Sequence, residues 1–103
     1  MSNDTSPGPE FWARADEVID IANKQSDDST SGKVSASLLY AAARFSSFSL
    51  VSSAKDVEEM KRNREEAIQY FSGQFEKMLI ENIDDYVKNF DSYTSPKENA
   101  ENI

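Results

Sequence analysis

The 103-residue sequence contains no cysteine and no histidine. Without cysteine, disulfides, thiolate zinc sites and thiol catalysis are excluded. Without histidine, the commonest general base and the commonest transition-metal ligand are missing. Basic residues are also scarce: 11 Lys and Arg stand against 19 Asp and Glu, for a net charge of −8. Binding to DNA or RNA needs clustered cations to displace condensed counterions, and an anionic membrane surface needs the same. No nucleic-acid partner and no membrane partner is therefore expected. No uninterrupted apolar run approaches the roughly 20 residues that span a bilayer. The first ten residues carry no apolar core of a signal peptide. The expected location is the cytoplasm.

What is present is helical patterning. From Val34 to Val51 the segment VSASLLYAAARFSSFSLV places large apolar residues at Val34, Leu38, Phe45 and Phe48, with mostly Ala and Ser between them. Those spacings fall on one stripe of a helix, and the small residues let a neighbouring helix come close. The segment reads as the central helix of a small all-helical domain. Before it, Pro9 or Glu10 to Gln25 reads as a first helix. Proline suits the first turn, where its missing N–H costs nothing, and Glu10 meets the positive end of the helix dipole. Phe11, Trp12, Ala15, Val18, Ile19 and Ala22 form its apolar stripe. The stretch Ser26 to Gly32 is a loop by composition, and the second helix is expected over Lys33 to Val51.

A third helix is expected after Ser53, with Ser53-x-x-Asp56 as a variant capping box. Its apolar residues run from Val57 and Met60 through Ile68, Phe71, Phe75 and Met78 to Phe90, interrupted at Arg64. The phase passes through Gly73, which predicts one helix, although glycine there marks the place where a kink or a fold-back would fall. At 1.5 Å per residue this helix would be about 57 Å long, against about 24 and 29 Å for the first two. The fold class expected is all-α: a three-helix up-down-up bundle with a long third helix. Residues 10–91 would form a single helical domain between disordered tails at 1–9 and 92–103. Its core would unite Trp12, Val18, Ile19, Leu38, Ala41, Phe45, Phe48, Ile68, Phe71 and Phe75. The far end of the third helix would outrun its cover. Leu79, Ile83, Tyr86, Val87 and Phe90 are thus candidate self-association residues, because a solvated helix would not keep such a stripe without a partner.

Candidate chemistry is sparse. Arg44 is the only charge between Lys33 and Lys55. It could receive an anion in a cleft lined by Trp12 and Tyr40; the preferred reading is an ion pair with Asp16, Glu17 or Asp20, or with an acid of the third helix. The acidic groups Asp27-Asp28 and Glu81 with Asp84-Asp85 lack the alternating ligands and glycine of a calcium loop, and adjacent helical residues point about 100° apart. No metal site, cofactor or catalytic residue is assigned. Lys61-Arg62-Asn63-Arg64 is the only basic run, and its flanking glutamates predict i,i+4 pairs Glu58–Arg62 and Lys61–Glu65 on a solvated face. The serines of the second helix have neither a histidine nor a nucleophile elbow beside them.

The stretches EFWARADEVIDIANKQ and VSASLLYAAARFSSF resemble a family of small proteobacterial proteins known as domain of unknown function 3144. The resemblance covers about residues 10 to 90, and SLLYAAARF is its most specific part. It implies a bacterial cytoplasmic source and brings no activity, cofactor or catalytic residue with it. The reading is a non-enzymatic acidic helical protein that acts through a protein partner or as a homodimer. The alternatives are a small-molecule binder with an aromatic pocket near Arg44 and an acidic inhibitor that mimics nucleic acid.

Overall fold

A computed structural model describes residues 7–94. The expected tails lie mostly outside these residues. Among the described residues the structure is all-α, with four helices: α1, Pro9–Ser26; α2, Ser31–Ser53; α3, Val57–Lys88; and α4, Phe90–Thr94. Residues 92–94, expected in the C-terminal tail, are helical. Contacts divide the chain into Met1–Phe48 and Ser49–Ile103.

In the first unit, α1 begins as its sequence dictates. Gly8 precedes it in extended conformation, with proline in the first turn, Glu10 near the positive end and Lys24 near the negative end. The loop after it is shorter than composition suggested. Thr30 Oγ1 accepts the Lys33 N–H at 3.2 Å, and Thr30 O accepts the Val34 N–H at 3.1 Å. A threonine used this way satisfies N–H groups that a first helical turn cannot pair internally, so α2 starts at Ser31, within the expected loop. Val34 is the one large apolar residue buried among those described, at 7% exposure.

In the second unit, the cap of α3 is not the one expected. Ser53 closes α2, its Oγ donating to Leu50 O at 3.2 Å. Asp56 itself caps α3 and accepts the Glu59 N–H at 2.9 Å, while Glu59 Oε2 accepts the Lys55 N–H at 2.9 Å. This reciprocal pair does the work of a capping box, shifted three residues along the chain. α3 runs unbroken through Gly73, as the phase predicts, with no positive φ and open space where a Cβ would stand. Its 32 residues span about 48 Å, against about 27 Å for α1 and about 34 Å for α2.

The expected core is the main correction. Trp12, Val18, Ile19, Phe45, Phe48 and Ile68 are between 45% and 72% exposed, and Leu38 and Phe71 are 38% and 37% exposed. The stripes are where the sequence put them, but they are not covered.

Candidate interaction surface

α3 carries the most extended apolar surface of the second unit. Ile68, Phe71, Phe75, Met78 and Tyr86 are 37–52% exposed along it. At about 100° per residue these five fall within a stripe about 80° wide. Of the residues expected to self-associate, Leu79, Ile83, Tyr86 and Val87 lie on α3, and Phe90 begins α4; all are exposed. Two pairs of charged residues on α3 are engaged locally. Lys61 pairs with Glu58 at 3.4 Å, and Arg64 Nη1 pairs with Glu65 Oε1. These are neighbours at i,i+3 and i,i+1, where the sequence predicted i,i+4 partners. Exposed side chains choose among several acids at little cost, because such pairs are worth a few tenths of a kcal/mol.

The lower end of α3 is closed by a side-chain lock that the sequence reading missed. Asn89 ends the helix, its backbone N–H donating to Asp85 O at 2.9 Å. Its Nδ2 donates to Asp85 Oδ1 at 2.8 Å, and the Tyr93 hydroxyl donates to Asp85 Oδ2 at 2.8 Å. The Tyr93 and Tyr86 rings lie 4.5 Å apart, tilted by 56°. One carboxylate thus ties α3 to α4. The hydrogen bond to Asp85, then its negative charge, raise the Tyr93 pKa above the ordinary 10.0. The signal was present as Asp85, Asn89 and Tyr93 at intervals of four. In the sequence Asp85 reads as part of an acidic group, because its neighbouring carboxylates stand out more than partners one turn further on.

Of the residues proposed for a ligand pocket, both aromatics are exposed. Trp12 is 55% exposed and meets Phe11 edge-to-face at 4.9 Å, and Tyr40 is 69% exposed. The ion pair expected between Arg44 and Asp16, Glu17 or Asp20 does not occur among the described residues. A notch of about 50 Å³ lies at the turn from α2 to α3, lined by Leu50, Ser53, Ala54, Glu59, Met60 and Asn63. Ligand sites are typically about 300–1,000 Å³.

α2 itself departs from one expectation. It is long and apolar enough to cross a membrane by length and composition. Run length concealed this, because serines and Arg44 interrupt the apolar runs while alanines keep the average high.

No curated protein and no solved structure matches the chain. A family model described as a protein of unknown function (DUF3144) matches residues 11–87. That match takes in α1, α2 and almost all of α3, and the chain belongs to the DUF3144 family.

Proposed function

We propose that this protein is a non-enzymatic contact module that acts through protein–protein association, first of all with itself. The observation that carries the reading is the apolar stripe of α3, exposed from Ile68 to Tyr86. An exposed apolar surface of that length on a small acidic protein marks an interaction site. A chain without cysteine or histidine supports a role in binding over one in catalysis. The up-down-up order of the three long helices belongs to the same proposal. It rests on connectors of residues 27–30 and 54–56, short enough to favour antiparallel neighbours.

Nucleic-acid and membrane partners stand outside the proposal, and the cytoplasm remains the proposed location. The net charge of −8 opposes polyanions. Arg44 falls in the interior of α2, and an arginine at the centre of a spanning helix costs about 2.5–3.5 kcal/mol. Sedimentation of the full chain across a wide concentration range tests the reading. The wild type should run as a dimer and Phe75→Asp as a weaker one. A wild type that stays monomeric at the highest concentrations would remove the self-association.

A further inference from the structure

The proposed self-association leaves open which way two copies meet, and the order of residues along α3 answers that. A heptad register places Lys61, Arg64, Ile68, Phe71, Phe75, Met78, Asn82 and Asp85 in one seam, at alternating steps of three and four. The order of chemistry in this seam is close to a palindrome about residue 73. Phe71 mirrors Phe75, Ile68 mirrors Met78, Arg64 mirrors Asn82, and Lys61 mirrors Asp85. In an antiparallel pair of helices, each layer joins an a position of one chain to a d position of the other. In this register Phe71 is a d position and Phe75 an a position, and the same holds for every mirrored pair.

We infer that two copies of this chain associate through α3 in antiparallel fashion, with the two-fold axis beside residue 73. The inference rests on the proposed self-association and specifies its geometry. Aromatic then meets aromatic at the centre, and aliphatic meets aliphatic one layer out. Beyond them Arg64 faces the partner's Asn82, and Lys61 faces the partner's Asp85. The Asn82 amide donates back to Met78 O at 2.7 Å, which leaves its carbonyl oxygen to accept from a guanidinium. Arg64 keeps donors to spare beside its contact with Glu65, since a guanidinium has five.

A parallel pair in register would set Arg64 against Arg64, Lys61 against Lys61 and Asp85 against Asp85, and like charges across a seam specify against that pairing. The area is adequate as well. The eight side chains of the seam, at about 80 Å² each, give about 640 Å² per protomer, at the lower end of the standard interface size. Gly73 points away from the seam, about 180° from its centre, so the axis needs no close backbone approach there.

The absence of cysteine makes the test clean. Full-length Arg64→Cys and Asn82→Cys chains are prepared separately, then oxidised alone and as an equal mixture. In the antiparallel pair, residue 64 of one chain lies about 27 Å along the axis from residue 64 of the other, far beyond disulfide reach. The mixture should therefore give disulfide-linked dimers at least about tenfold above either variant alone. Asn82→Asp, which keeps the shape and adds a charge opposite Arg64, should tighten the dimer by about tenfold in sedimentation. Efficient cross-linking of Arg64→Cys with itself would establish a parallel pair, overturning this geometry while sparing self-association. A dimer by sedimentation with no mixed cross-link, or one weakened by Asn82→Asp, would place the contact on another face and overturn it too. A monomer would overturn both this inference and the reading beneath it.

Discussion

α2 and α3 are the two long helices of this protein, and they are built on opposite plans. α2 carries two charges, Lys33 and Arg44, in 23 residues, whereas α3 carries thirteen in 32. In α3 charges border a stripe from Ile68 to Tyr86, while Ile80, Ile83 and Val87 lie outside it. In α2 nothing fences the apolar residues: serine and alanine fill the spaces, and large residues such as Tyr40 and Phe45 project in several directions. An amphipathic helix announces its contact face, while a helix of small and apolar residues announces only that it tolerates close neighbours.

The largest expected effect breaks this comparison if it fails. Phe71→Ala should cost about 3–5 kcal/mol of dimer stability, read as a fall in dimer affinity of more than about a hundredfold, because it opens a cavity at the centre of the α3 seam. Phe45→Ala on α2, where the ring is 72% exposed, should cost less than about 1 kcal/mol by thermal unfolding. Equal costs would mean that α2 is as directional as α3.

Two changes within α3 sharpen the contrast with smaller effects. Asp56→Ala removes the side chain that accepts the Glu59 N–H and should lower stability by about 1 kcal/mol, seen as a lower melting temperature with the dimer intact. Gly73→Ala should raise stability by about 1 kcal/mol, since the new methyl meets nothing within 4 Å and the glycine has no positive φ. Loss of association in Gly73→Ala would place the glycine inside the contact and move the seam to another face of α3.

The smallest effect is at the lock between α3 and α4. The folded Tyr93 pKa is raised above its unfolded value, so the folded state holds the proton more firmly. Its contribution is then full below about pH 10, the unfolded pKa, and is lost as pH rises through the folded value. Amide exchange in residues 90–94 should quicken across that window, and Tyr93→Phe should show the quicker rate already at neutral pH. Association through α3 should remain.

Much of the helical content was legible because period, proline and dipole charges are local. Pro9 and Glu10 gave the start of α1, and the apolar phase through Gly73 gave one α3. The misreadings have a common cause. Ser53, Asp56 and Thr30 were all plausible caps by residue type, and which oxygen meets which N–H depends on backbone geometry that composition does not carry. The Asp85 lock was missed for a related reason, since it needs the chain to turn at Asn89 before Tyr93 can reach back.

The sequence by itself determined that the chain is helical and acidic and that α3 carries an apolar stripe, because each of these depends on residues within a few turns of one another. Only the tertiary structure decided that the stripes lie exposed in the single chain, with Val34 alone buried among the large apolar residues described. Burial is a relation between distant segments. Hydrophobic attraction has no direction of its own, so it marks a surface as wanting cover without naming what covers it.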